Sequence, residues 1–137
     1  MTAAGDREVP IPRAPPTVRG HAWAMDLDPV ATNPEHYRVV FENERVRVLE
    51  YLDEPGAATT PHAHPDSVMV TLSSFQRRLS TGDRTLDVEL PAGRASWLPA
   101  QEHSGQNTGS TPTHVVFVEL KESPRTTPVA DSPLGPD

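Results

Sequence analysis

Residues 60–72, "TPHAHPDSVMVTL", set two histidines one residue apart between two prolines and then run into an apolar stretch. In an extended strand, residues two apart point to the same side, about 6.5–7 Å apart along the chain. Two imidazoles so placed can converge on one ion lying roughly 2 Å from each ring nitrogen. Pro61 and Pro65 push Thr60 and His64 toward extended backbone, which restricts the segment before any ligand arrives. The other reading of His62-Ala63-His64 is the polar face of a surface strand. A site needs further ligands from elsewhere.

A candidate stands in residues 97–109, "WLPAQEHSGQNTG". Here a strand ends at Pro99, His103 follows four residues later, and Asn107 four after that. A histidine opening a strand at the mouth of a small barrel is well placed as a third ligand. An ordinary loop histidine is the alternative.

Around these stretches the chain reads as short strands and tight turns. "YRVVFENERVRVLEYLD" holds two β-rich runs joined at Glu42-Asn43-Glu44, a hairpin signal. "FQRRLSTGDRTLDVEL" is two strands around Thr81-Gly82-Asp83, where glycine supplies the positive φ that hairpin turns demand. Pro91-Ala92-Gly93 forms another turn, followed by "ASWLPA" and "THVVFVELK". No stretch from Tyr37 to Lys121 sustains an apolar 3, 4, 7 spacing. Eight or so short strands at this interval predict an all-β sandwich or barrel. A barrel of this size encloses one small ligand.

Composition narrows the function classes. The 137 residues suit one domain. A net charge of −7 argues against sequence-independent nucleic-acid binding, which needs a basic face. No apolar run approaches the roughly 20 residues of a membrane span, and the start lacks the apolar core of a signal peptide, so a cytoplasmic protein is expected. With no cysteine, disulfides and thiolate metal sites are excluded. Of 16 prolines, most lie before His36 or after Lys121. The expected organisation is a proline-rich N-terminal arm over 1–35, a domain over 36–121 and a flexible tail over 122–137. Trp23 and Met25 are the arm residues suited to dock on the core or on a second subunit.

Pro55-Gly56, His62-x-His64, the hairpin about Gly82, Pro91-x-Gly93, then Pro99, His103 and Asn107 together resemble the cupin superfamily. The resemblance covers about residues 37–121 and is closest to small single-domain bacterial cupins. It implies a double-stranded β-helix, or jelly-roll barrel, with irregular termini, a metal-centred pocket and a homodimer. It implies His62, His64 and His103 as ligands of a divalent ion, with iron, zinc, nickel, manganese and copper all open. Cupins usually add a glutamate four or five residues after the second histidine, where this chain has Val68 and Met69. The step from Pro99 to His103 is also one residue shorter than the common form, with Gln101 where a glycine is usual.

Strand parity puts Val68, Val70 and Leu72 on the face of His62 and His64, so an apolar wall is expected in place of that glutamate. Asp66 shares the parity, either as a fourth ligand or in an Asx turn on its own backbone. Gln76 and Arg78 are the candidates to orient a substrate anion, with Arg77 taking the role if the register slips. His114 shares a stripe with Val116, Val118 and Leu120, as a buried core histidine, a general base or a fourth ligand. Trp97 is a pocket wall or core filler. The expected function is a metal-dependent enzyme on a small, anionic metabolite, of non-heme dioxygenase or metal-assisted lyase or isomerase type. A non-catalytic small-molecule binder or sensor is the alternative, and a metal-free epimerase-like cupin ranks last.

Overall fold

The computed structural model describes residues 27–121; the expectations for Trp23 and Met25 lie outside the described residues. After a one-turn helix α1 (Pro29–Thr32) come nine strands: β1 (Tyr37–Glu42), β2 (Val46–Asp53), β3 (His62–His64), β4 (Ser67–Thr71), β5 (Phe75–Thr81), β6 (Arg84–Leu90), β7 (Ala95–Leu98), β8 (Gln101–Asn107) and β9 (Thr113–Leu120). They form a five-stranded sheet in the order β1-β2-β9-β4-β7 and a four-stranded sheet in the order β3-β8-β5-β6. Every strand pairing is antiparallel. The all-β architecture is the one its turns predict, and its form is the double-stranded β-helix that the cupin resemblance implies. No helix among the described residues is long and apolar enough to cross a membrane.

The turns form for local reasons. Asn43 Oδ1 accepts the backbone N–H groups of Arg45 and Val46 at 2.8 and 2.9 Å, closing the β1–β2 hairpin through a side chain. Gly82 at φ 59° closes the β5–β6 hairpin, a conformation that a side chain at this position would oppose. At the β7 entry, Thr71 Oγ1 donates to the Pro91 carbonyl at 2.6 Å and accepts from the Arg94 N–H at 2.9 Å.

Residues 27–35, placed in the arm by sequence, pack on the barrel. The Leu27 carbonyl accepts from the Ala63 N–H at 2.8 Å, on the open edge of β3. Asp28 caps α1 by accepting from the Val30 N–H at 3.2 Å, and both its oxygens receive Arg47, at 2.8 and 3.0 Å. Asn33, buried just beyond the helix, grips Thr60: its Oδ1 accepts the Thr60 N–H at 2.9 Å and its amide donates to the Thr60 carbonyl at 3.2 Å. The helix thereby fixes the residue on which the first histidine hangs.

The inner faces hold Tyr37, Leu49, Tyr51, Phe75, Val115 and Phe117, which form one apolar cluster. Between the sheets lies a cavity of about 260 Å³. Which residues face it corrects two expectations. Pro65 and Asp66 carry the chain from the four-stranded to the five-stranded sheet, so the alternation does not continue from His64 into β4. Ser67 and Thr71 are fully buried and Met69 lines the cavity, whereas Leu72 is 49% exposed. On β9 the inward residues are Thr113, Val115, Phe117 and Glu119, so His114 falls outside and bonds Glu50 at 2.6 Å.

Trp97 neither walls the cavity nor fills the core. It is 54% exposed and ends an outward row, Phe41, Val48, Val118, Val68 and Trp97, in register across all five strands.

Candidate metal centre

Strands β3 and β8 are neighbours, with His62 directly opposite His103 and His64 opposite Gln101. Parity on β3 puts His62 and His64 on one face, and the cross-strand register puts His103 on that same face. The ring centroids form a nearly equilateral triangle with sides of 5.0, 5.0 and 5.1 Å. One nitrogen from each ring lies within 4.8 Å of the other two, the one such cluster of potential ligands among the described residues. His62 and His64 are each only 1% exposed.

Each ring is held from behind. His62 Nδ1 lies 2.7 Å from the Thr60 carbonyl, a pure acceptor, so Nδ1 carries the proton and Nε2 carries the lone pair. His103 Nδ1 lies 2.7 Å from Gln101 Oε1, with the same consequence. His64 Nδ1 lies 3.3 Å from Glu119 Oε2, and the other Glu119 oxygen accepts from Arg47 Nε at 3.0 Å. Phe117 stacks on His64 with centroids 4.9 Å apart. An anchored Nδ1 fixes tautomer and orientation, the arrangement that supports a metal-ligating histidine. The donor set fits a divalent ion: three imidazoles, two of them buried, with one nitrogen of each turned toward a common point.

Burial pushes His62 down to about 4, helped by His64, although the Thr60 carbonyl opposes it. Burial likewise pushes His103 down to about 3, with His64 and His62 adding to it. Both rings are therefore neutral near pH 7. The unfolded chain takes up protons near pH 6.5 and the folded one only near 3 to 4, so stability is complete above about pH 6.5 and falls as the pH drops through that window. For the metal-free protein, urea midpoints are expected to report a loss of about 2 kcal/mol between pH 7 and pH 5.5. A flat profile over that interval contradicts neutral, buried rings.

The cavity carries a second polar group, centred on Arg77 of β5 in the histidines' own sheet and on Asp53 and Tyr51 of the facing one. Arg77 Nη1 donates to Asp53 Oδ2 at 2.6 Å and to Thr113 Oγ1 at 3.2 Å, while Nη2 donates to the Tyr51 hydroxyl at 3.2 Å. Tyr51 in turn donates to Asp53, and Asn107 Nδ2 donates to Asp53 Oδ1 at 3.0 Å. Burial works to raise the Asp53 carboxyl, but Tyr51, Arg77 and Asn107 together hold it below the usual carboxylate range. Asn107 thus belongs to this network and not to the histidine triangle.

Gly105 makes room for it. A Cβ there would lie 2.9 Å from Arg77 Nη2 and 3.3 Å from Leu79 Cδ2. Because Asp53 and Tyr51 pin the guanidinium, it cannot swing aside freely. Gly105→Ala is expected to cost about 1–3 kcal/mol of overpacking, read as a lowered urea midpoint. An unchanged midpoint contradicts a pinned Arg77.

Other sequence candidates lie elsewhere. Gln76 is exposed and Arg78 pairs with Asp87 at 2.8 Å on the outer surface, because Phe75, Arg77 and Leu79 take the inward positions of β5. Asp66 is exposed; its side chain accepts from the Ala100 N–H at 2.8 Å, so it holds the β7–β8 corner and makes no Asx turn on its own backbone.

No protein-family model matches the chain, and no curated protein matches it significantly. Solved structures do. A cupin domain from Bordetella pertussis Tohama I is 31% identical with a TM-score of 0.58, over 62% of this chain and 91% of that one. The chain belongs to the cupin superfamily. A double-stranded β-helix protein from Klebsiella pneumoniae subsp. pneumoniae MGH 78578 matches at 25% identity and TM-score 0.50, over 61% of this chain and 74% of that one. An RmlC-like cupin family protein from Methanocaldococcus jannaschii, at 14% identity and TM-score 0.51 over 61% of this chain and 77% of that one, shares the fold.

Within the cupin frame, the glutamate that usually joins the histidines has no counterpart on β4. Met69 faces the cavity and Val68 points outward against Val118 and Trp97. Sequence reasoning passed over Tyr37, the first residue of β1. Its hydroxyl lies 3.2 Å from His62 Nε2 and 3.4 Å from His64 Nε2. Tyr37 lines the same cavity as His62 and His103, and burial holds its phenol proton well above the ordinary tyrosine value.

Proposed function

We propose that this cupin is a metal-dependent enzyme acting on a small molecule with an apolar body and one anionic or enolisable end. The observation that supports it is the turn of three imidazoles, two buried and one half-buried, each anchored through Nδ1, toward one point at the wall of an apolar cavity. Structural zinc sites are closed by four protein ligands, whereas three leave positions open for chemistry. A bound divalent ion supplies Lewis acidity and, if it is iron, redox chemistry.

The chain's own residues define what it accepts. His62, His64 and His103 would hold the ion, while Thr60, Gln101 and Glu119 keep the rings aimed. Phe75, Leu79, Val88, Leu90 and Leu98 line the space where the substrate body lies and exclude water from it. At about 260 Å³ the cavity is below the roughly 300–1,000 Å³ typical of drug-sized ligands, so the substrate is small. Three neutral imidazoles leave the full double charge on an ion in a low-dielectric pocket, which favours an anionic substrate end. Arg77 does not supply that attraction, since Asp53 neutralises it. An oxygenase and a metal-assisted lyase or isomerase share these requirements.

The second reading is a non-catalytic binder. The pairing of Arg77 with Asp53 favours it, because both charged groups of that cluster are then taken up by each other and neither is free to move a proton. The two readings separate on chelation. Metal-loaded protein is screened by thermal shift against small aryl and alkyl carboxylates, thiols and 1,3-diketones, and any stabilising compound is followed for consumption. The enzyme reading expects a hit that is consumed, with binding and turnover both lost after metal removal. Equal affinity before and after chelation, without consumption, overturns it in favour of the binder.

A further inference from the structure

The triangle of histidines holds more acceptors than protons. His62 and His103 keep the proton on Nδ1 and turn Nε2 lone pairs inward, His64 sets its Nε2 beside them, and the Tyr37 hydroxyl is the polar group set against the Nε2 atoms of His62 and His64. A phenol has one hydrogen, so it serves one nitrogen at a time and leaves the other, like His103 Nε2, without a donor from it. A buried cluster so rich in lone pairs is suited to a cation. Tyr37 is itself fixed: its ring packs on Tyr51 at 4.6 Å and Phe117 at 6.0 Å, and β1 pairs it with Tyr51 in register.

The separations of the Tyr37 hydroxyl from those two Nε2 atoms also match the spacing of ligands around one ion. Donor atoms about 2.0–2.1 Å from a tetrahedral ion lie roughly 3.3–3.4 Å from one another. The Tyr37 oxygen is 3.2 and 3.4 Å from the two Nε2 atoms. It lies at that spacing from two of the three rings and is contributed by β1, while the β4 residue that lines the cavity is Met69, a thioether. We propose that Tyr37 is the fourth protein ligand of the metal centre, bound through its phenolate oxygen in place of the missing glutamate.

On binding, the Oη–H bond breaks, its proton passes to the buffer, and an Oη–metal bond forms. The hard oxygen suits iron or zinc; its negative charge leaves a divalent centre one positive charge to attract an anionic substrate end, and a four-ligand centre admits that end by expanding to five-coordinate. This inference rests on the metal-centre reading above.

The test loads metal-free protein with two probes, zinc and ferric iron supplied as its nitrilotriacetate complex, in wild type, Tyr37→Phe and His64→Ala. Wild type with one ferric ion per chain is expected to show an intense visible band from phenolate-to-iron charge transfer, with phenolate ring modes in its resonance Raman spectrum. Tyr37→Phe is expected to keep the iron without the band and to bind zinc about a hundred- to a thousandfold more weakly. Should the variant fail to fold, the wild-type Raman spectrum alone decides, since it needs no substitution. Stoichiometric ferric iron without band or phenolate modes, or equal zinc affinity in the phenylalanine variant, overturns the tyrosine ligand while leaving the three histidines in place. No zinc in wild type, or equal binding by His64→Ala, overturns the metal centre itself.

Discussion

His64→Ala is expected to weaken the affinity for a divalent ion by about a hundred- to a thousandfold. Structural zinc sites with four ligands bind with about 10–16 kcal/mol, which is on the order of 2.5–4 kcal/mol per ligand. His64 is the middle case among the three: buried on β3, stacked on Phe117 and backed by Glu119, so no neighbouring nitrogen can move into its place. The measurement is competition against a chromophoric chelator, with circular dichroism to confirm the fold. An alanine variant that competes as well as wild type contradicts the proposed ligand set.

The largest stability effect is expected away from the histidines. Asp53→Ala leaves the buried Arg77 guanidinium without its carboxylate and deprives Tyr51, Asn107 and the Thr113 N–H of an acceptor. Removing one partner of a buried pair costs about 3–5 kcal/mol, because the remaining charge is neither solvated nor paired. That approaches the whole stability of a small domain. Replacing both partners by apolar groups, as in Asp53→Leu with Arg77→Met, is expected to recover most of the loss. Urea unfolding of the single and double variants measures this. A loss below about 1 kcal/mol for the single variant, or additive losses in the double, contradicts the network as described.

Much of this architecture was legible in the chain. The turn at Asn43, the glycine at 82 and the proline-bounded His-x-His segment are local features, and local chemistry reads directly from residue order. His103 was legible for a different reason: the order Pro99, His103, Asn107 resembles a known pattern although the first step is one residue short, and the register of β8 against β3 sets it opposite His62.

What was misread depended on how one strand connects to the next. Alternation is reliable within a strand and breaks at a corner. Pro65 and Asp66 turn the chain into the other sheet, and with that the inward set became Ser67, Met69 and Thr71 in place of Val68, Val70 and Leu72. The β5 error had a visible remedy. Phe75, Arg77 and Leu79 put two large apolar residues on one parity, which marks that face as inner and carries Arg77 with it. Likewise Glu119 shares parity with Val115 and Phe117, so a carboxylate in an apolar stripe marked a buried role. Tyr37 carried no such mark. Its place beside the histidines comes from the pairing of β1 with β2 and the closure of the barrel, a long-range arrangement absent from any local stretch.

The account stands on three ring nitrogens sharing one ion. Anomalous X-ray scattering from crystals of metal-loaded protein, collected on both sides of the metal's absorption edge, tests this most directly. The expected result is a single strong peak about 2.0–2.2 Å from the Nε2 atoms of His62, His64 and His103. A crystal with bound metal whose peak lies elsewhere, or whose triangle of rings holds no anomalous density, contradicts it.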